Sequence, residues 1–253
     1  MSTATAPIDP RIRARRAAVM RAQGRRRLRL LVAATAAATI VAGGWLLVNS
    51  AALDVDRIVV RGAADPVAAE VRAAAGVAGG DALLLLDAGD VERRIEAVPA
   101  VLDARVERDL PDALRITVVE RTPAAWAARG DGSVAVLDRT GRVIAAATTP
   151  PALPEIRGLE RVPVPGAAGA GSRDGAGVVA ELPGELGSRV VAVVVGGGAV
   201  ALELDDGVEV RLGRPRDLAR KGRTAVAVLA ASGEAPVAYV DVRVPAAPVT
   251  GSA

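Results

Sequence analysis

The alternation of apolar and polar positions changes period several times along the chain, and each change marks an element. Residues 30–48, LLVAATAAATIVAGGWLLV, carry no charge over 19 positions. As a helix that run is about 28 Å long, enough to cross a hydrocarbon core of about 30 Å. Residues 55–61, VDRIVVR, alternate and are β-branched, which predicts a strand ended by Gly62. In DPVAAEVRAAAGV, Asp65 suits an N-cap, Pro66 the first helical position and Gly76 the stop of a helix. The apolar run Leu83-Leu84-Leu85-Leu86 precedes a second short helix near residues 90–97, closed by Pro99. VLDARVERDLPDALRITVVE then predicts a strand, a tight turn at Leu110-Pro111-Asp112 and another strand, in which Leu114, Ile116 and Val118 alternate with Arg115, Thr117 and Val119. The order is β-α-α-β-β over residues 54–122, near the lower size for an independent domain.

After Pro123 the pattern turns to short strands and turns. Residues 124–128, 134–137 and 142–145 read as strands joined by RGDG and DRTG, both strong turn signals. Residues 150–174 are rich in Pro, Gly and Ala, and VPVPGAAGAGSRDG, residues 162–175, reads as a mobile loop, with a short helix near 178–182. Strands over 189–195, 199–204 and 208–212, a helix over 215–231 and a final strand over 238–244 complete a mostly antiparallel β-domain at 123–244. In the last helix, Leu218, Ala225 and Leu229 lie at core-facing spacing, which leaves Arg220, Lys221 and Arg223 outward. Residues 245–253, PAAPVTGSA, read as a disordered tail. The fold class is α+β.

Charge adds topology to this picture. Nine arginines against Asp9 alone precede the apolar run, whereas only Arg57 and Arg61 follow it closely. The positive-inside rule makes residues 1–29 a basic cytoplasmic tail, residues 30–48 an uncleaved transmembrane helix and the rest extracytoplasmic. The protein is thus expected to be a single-pass type II protein of the cytoplasmic membrane. A cleaved signal peptide is the rival, with VNSA as a weak cleavage site, but the run exceeds the usual h-region and its basic leader is long. The Arg tail fits a lipid-surface and topology signal better than DNA binding, so no nucleic-acid partner is expected.

Composition narrows the chemistry. The chain of 253 residues has no His and no Cys, which removes the commonest general base, thiolates and the commonest metal ligands. Lys221 is the only lysine. Asp131, Asp138 and Asp241 could form a carboxylate constellation for hydrolysis, but Asp131 and Asp138 lie in turn contexts where bonding to the backbone accounts for them. VGGGAV lacks the Lys-Ser/Thr ending of a phosphate loop and reads as a hairpin turn. No cofactor, metal or small-molecule substrate is expected. Alternation in AYVDVRVP puts Tyr239, Asp241 and Arg243 on one face of the last strand and Val240, Val242 and Val244 on the other, toward the core. As the final strand it is expected at a sheet edge, with free N–H and C=O groups and Pro245 stopping the ladder.

These pieces, in this order after one membrane helix, resemble the FtsQ/DivIB family of bacterial cell-division proteins. The resemblance covers nearly the whole chain and rests on IVVRG, VPAVLDARVERDLPDALRITVVERTPAAW, VAVLDRTGRVI, DDGVEVRLGR, Lys221 and YVDVRVP. It departs at Leu110, where the family often has an aromatic before the proline, and in the Gly/Ala segment near residues 166–171. By this resemblance residues 54–122 are POTRA-like. Arg121 and Pro123 mark the exit from that unit, and Trp126 is expected to pack under the next hairpin.

The resemblance implies a non-enzymatic scaffold at the division septum. Its extracytoplasmic β-domain would bind an FtsB/FtsL-like pair and help recruit and control septal cell-wall synthesis. Arg214, Tyr239, Asp241, Arg243 and Val244 are the expected partner-binding residues, with a partner strand added to the exposed edge. A POTRA-containing transport or chaperone component is the alternative, and a membrane-anchored hydrolase the remoter one.

Overall fold

The computed structural model describes residues 29–46, 53–233 and 236–252. The expected basic tail, apart from Arg29, and residues 47–48 of the expected span lie outside them. The described residues fall into two compact units.

The first unit takes in the described residues up to Arg57 together with Ala78–Leu86 and Arg108–Ala113. Its helix α1, Arg29–Leu46, is long and apolar enough to cross a membrane, and none of its apolar window is buried. Thr35 and Thr39 turn their hydroxyls back onto the carbonyls of Leu31 and Thr35, so neither presents an unbonded polar group. The remainder is laced by backbone bonds. Leu83 N–H donates to Leu53, Val55 N–H to Asp81, and Asp56 and Arg57 both donate to the Asp112 carbonyl. Val55 and Leu83 are fully buried within it.

The second unit holds Ile58–Val77, Asp87–Glu107 and the chain from Leu114 onward. The β-α-α-β-β order appears as β1 (Arg57–Arg61), α2 (Val67–Ala75), α3 (Ala88–Glu96), β2 (Val101–Asp109) and β3 (Ala113–Glu120), with the sheet in the order β1-β3-β2. The helix α2 starts one residue later than expected, with Pro66 at the N-cap position and no side-chain cap. The helix α3 is capped by the Asp87 carboxylate, which accepts from Asp90 N–H. Val71, Val91, Ile95, Val101, Ile116 and Val118 are buried, as the alternating and helical spacings require.

From Pro123 the chain builds a nine-stranded sheet from β4 (Pro123–Ala128), β5 (Val134–Asp138), β6 (Val143–Ala147), β7 (Glu155–Arg157), β8 (Val190–Gly196), β9 (Ala199–Leu204), β10 (Glu209–Gly213), β11 (Tyr239–Asp241) and β12 (Val249–Gly251). The order is β12-β11-β10-β9-β8-β7-β4-β5-β6. Hairpin-linked neighbours are antiparallel. The pairs β4–β7, β7–β8 and β10–β11 are parallel. The last two of these are bridged by helical crossovers, the connection that parallel strands need. The crossovers are α4 (Ala170–Glu181) with α5 (Gly184–Gly187), and α6 (Leu218–Ser232). Ile156, Val193, Leu202, Leu204, Val210, Leu212 and Val240 form the core with Ala176, Val178, Leu218 and Ala225 of the helices.

Four expectations need correction here. The expected loop at 162–175 is not a loop throughout, since α4 begins at Ala170, and the unexpected strand β7 forms among the prolines before it. Glycines in α4 are unfavourable in isolation, but Gly175 lets the helix lie on β7, where a β-carbon would stand 2.9 Å from Ile156 Cγ2. At the helix start Ser172 Oγ donates to the Gly141 carbonyl at 2.8 Å. Gly141 has φ +75°, and its own β-carbon would collide with the Ser172 backbone at 2.4 Å.

Second, Lys221 does not face outward. It is buried because it sits three residues after Leu218 and four before Ala225, on the core stripe. Leu229 is only partly buried. The α6 helix also starts at Leu218 rather than 215, because Asp217 adopts φ +54°.

Third, residues 245–253 are not a disordered tail as far as they are described. A turn in which Ala247 N–H donates to Val244 O reverses the chain, and β12 pairs antiparallel with β11. Fourth, β11 is therefore no edge. It is three residues long and lies between β10 and β12, and Val244, beyond its end, is 61 % exposed instead of packed in the core.

Candidate functional site

The five residues singled out from the sequence gather at the β10–β12 end of the sheet. Arg214 follows β10 in an exposed bend, and among the described residues its guanidinium has no ion-pair partner. Its carbonyl is engaged. Lys221 Nζ donates to Arg214 O at 2.8 Å and to Leu212 O at 2.7 Å. Burial in this position pushes the Lys221 amine below its ordinary value. The one lysine of the chain thus ties the end of β10 to α6 and fixes the bend that carries Arg214.

Tyr239 and Asp241 sit on the face of the sheet away from the helices, with the buried Val240 between them. The parallel register sets Glu209 beside Tyr239 and Arg211 beside Asp241. The Arg211 guanidinium stacks on the Tyr239 ring at 4.0 Å from its centroid and bonds Glu209 at 3.0 Å. The Tyr239 ring also covers Gly251, its antiparallel partner. A β-carbon at Gly251 would stand 2.2 Å from Tyr239 Cε1, so the ring occupies the place of a side chain there.

Asp241 accepts from Arg243 at its backbone N–H, 2.9 Å, and its guanidinium, 2.6 Å. The Arg243 side-chain bond, outweighing partial burial, holds the Asp241 carboxyl below the usual carboxylate range. The Arg243 stem lies over Gly213, where a β-carbon would meet its Cγ at 2.9 Å. Its charged head remains exposed, as does Val244. A concavity of about 400 Å³ on this open face is bounded by Val194, Ala201, Arg211, Gly213 and Arg243.

The carboxylates weighed for hydrolysis do other work. Asp131 Oδ1 accepts from Ser133 N–H and hydroxyl in a turn. Asp138 accepts from Thr140, Arg142 and Arg121. Asp241 is held by Arg243. Among the described residues no cluster of three or more His, Cys, Asp or Glu is placed to hold a metal ion.

Sequence reasoning missed β12, Gly251 and the Arg211–Tyr239 stack. Two signals were present. VTG follows Pro248 with a β-branched pair, and EVRLG alternates so that Arg211 faces away from the buried Val210 and Leu212. The register that brings Arg211 under Tyr239 depends on the crossover through α6 and could not be read locally.

Residues 53–121 match the family described as POTRA domain, FtsQ-type, and residues 124–243 match that described as cell division protein FtsQ/DivIB, C-terminal. The chain is 32 % identical over 241 residues to the cell division protein FtsQ of Streptomyces collinus, covering 90 % of this chain and 89 % of that protein. It is 30 % identical over 238 residues to FtsQ of Streptomyces coelicolor, covering 88 % of each. Among solved structures, the major extracytoplasmic domain of the cell division protein DivIB from Geobacillus stearothermophilus is 21 % identical. It covers 44 % of this chain and 93 % of that chain with a TM-score of 0.34.

Proposed function

The chain belongs to the FtsQ/DivIB family of cell-division proteins, and from that premise we propose that it is a non-enzymatic scaffold of the division complex. Its α1 helix spans the cytoplasmic membrane with the arginine-rich N-terminus inside. Its nine-stranded domain lies outside, at the septum, where it binds FtsB/FtsL-like division proteins and helps recruit and control septal cell-wall synthesis. The observation that supports this most directly is the β10–β12 end of the sheet. There Arg214 and Val244 stand exposed beside Tyr239, Asp241 and Arg243, on a sheet that ends in a three-residue strand.

Strand addition at this place uses the outer side of β12, since β11 is already paired on both sides. Three residues of ladder give little register, so the arginines beside it supply orientation and the exposed apolar residues supply area. Arg214 is the chief candidate for meeting an acidic partner side chain, because Arg243 already carries Asp241.

The experiment is co-purification of the full-length protein from detergent-solubilised membranes, read by mass spectrometry. FtsB- and FtsL-like division proteins should be recovered, and Arg214→Glu should reduce that recovery several-fold with an unchanged melting temperature. Recovery of neither protein overturns the reading, and recovery unaffected by Arg214→Glu removes this corner from the interface.

A further inference from the structure

Three leucines project from two turns of the first unit. Leu84 is 38 % exposed and Leu85 67 % exposed at the tip of a turn closed by Leu85 N–H donating to Ala82 O. Leu110, 57 % exposed, precedes Pro111 between β2 and β3. The two turns are fastened to each other. Arg108 donates through Nε to Leu83 O at 3.1 Å and through its terminal nitrogen to Leu86 O at 2.5 Å. Both turns are also bonded to residues 53–57, Leu83 to Leu53 and Asp112 to Asp56 and Arg57.

An apolar patch of this kind marks a surface that something covers. The chain itself names the occupant. Six residues separate Leu46, the last of α1, from Leu53. Fully extended, that segment reaches about 25 Å at most. With α1 spanning a bilayer, the strap at residues 53–57 stays within that reach of the membrane surface, and the two leucine turns are hydrogen-bonded directly to the strap. A bilayer that α1 spans is therefore within reach of the patch.

We propose that Leu84, Leu85 and Leu110 insert into the bilayer interface and seat this end of the protein on the lipid. The contact is apolar in kind. The charged positions within residues 53–57 and these two turns are mainly acidic, Asp54, Asp56, Asp81, Asp109 and Asp112 against Arg57 and Arg108, and Arg57 is paired with Asp112 at 2.9 Å. Such a surface gains nothing from anionic headgroups and binds by buried area alone. The inference rests on α1 spanning the membrane, which resistance to carbonate extraction checks in the same vesicles.

The chain has no cysteine, so Leu85→Cys carries a single nitroxide on the full-length protein. Reconstituted in phosphatidylcholine vesicles, the label should collide with oxygen in preference to a water-soluble nickel complex. Adding Leu84→Asp and Leu110→Asp should lower that preference several-fold. The serine pair Leu84→Ser and Leu110→Ser repeats the comparison if the aspartates alter the melting temperature. An unchanged preference in a protein that still resists carbonate overturns the proposal. A preference that vanishes when the protein is diluted among more vesicles assigns the patch to a second copy and overturns it too. A preference that appears only with phosphatidylglycerol shows electrostatic attraction and overturns the apolar contact.

Discussion

Arg121 and Asp138 are joined by a nearly buried ion pair, 2.8 Å from guanidinium to Oδ2, with side chains 16 % and 5 % exposed. Arg121 follows β3, and its Nε also holds the Val101 carbonyl at 3.0 Å. Asp138 ends β5 and accepts from the Thr140 hydroxyl and the Thr140 and Arg142 amides. The pair ties the exit of the three-stranded sheet to the first hairpin of the nine-stranded one. Removing one partner leaves a buried charge uncompensated, which costs about 3–5 kcal/mol in such settings. Arg121→Met and Asp138→Asn should each destabilise strongly, and the double variant should be less unstable than their sum. Urea unfolding of the four proteins measures the coupling, and additive effects would show that the pair is not a unit.

The same carboxylate sets a pH dependence. Burial pushes the Asp138 carboxyl up, but the bonds from Thr140, Arg121 and Arg142 together outweigh it and hold it below the usual range. A carboxyl lowered on folding stabilises fully above its unfolded value, about 3.9, and loses that contribution as pH falls through the lower folded value. The stability gap between wild type and Asp138→Asn should therefore be constant from neutral pH down to about 4 and narrow below it. Urea midpoints against pH test this, and a gap that widens in acid has the wrong sign.

Lys221 gives a separate test of how the Arg214 bend is held. Lys221→Met keeps the stem but leaves the carbonyls of Leu212 and Arg214 without their donor. Unmet buried acceptors of this sort cost about 1–3 kcal/mol. The loss should appear as a lower urea midpoint together with faster amide exchange across residues 212–217. A variant as stable as wild type would show that water satisfies those carbonyls.

Much of the architecture was legible because its signals are local. The β-α-α-β-β order followed from period changes at Gly62, Gly76 and Pro99 and from the turn at Pro111, and each coincides with an element boundary. The errors have non-local causes. The α4 helix contains glycines that propensity counts against, and only close approaches, Gly175 to Ile156 and Gly171 to Leu159, account for two of them. Lys221 was placed outward on charge alone, although its spacing from Leu218 and Ala225 already put it on the buried stripe. The Tyr239, Asp241 and Arg243 face was readable from alternation. Its neighbours Arg211 and Gly251 were not, since they arrive through a crossover and a chain reversal.

Trp126 shows how a side chain can anchor without being enclosed. It is half-buried, not packed fully under the hairpin as the sequence suggests. It pins the segment before β7 by donating through Nε1 to Leu153 O at 2.9 Å, and through its backbone to Pro154 O at 3.0 Å. Full core truncations of this size cost about 3–5 kcal/mol, so a half-buried one should cost about 2. Trp126→Ala should meet that value, and Trp126→Phe, which keeps most of the area but loses the donor, should cost about 1 kcal/mol. Equal losses in the two variants would mean that the hydrogen bond, not the area, dominates.

The strand β12 is a short edge of the nine-stranded sheet. It has three residues and one neighbour, and the Tyr239 ring lies across its Gly251. A side chain at residue 251 cannot share that space, because even a β-carbon would stand 2.2 Å from the ring. Gly251→Val should therefore push the ring off or detach the strand. Detachment removes only a short exposed ladder, so the urea midpoint should shift little while amides 239–241 and 249–251 exchange much faster. It also bares the outer side of β11. If partner strands add to β12, this variant should lose co-purified division proteins. If they instead displace β12 and pair with β11, it should recover more of them, so the direction of the change distinguishes the two docking modes. Unaltered exchange in Gly251→Val would show that Tyr239 moves aside at no cost and that the glycine is not required.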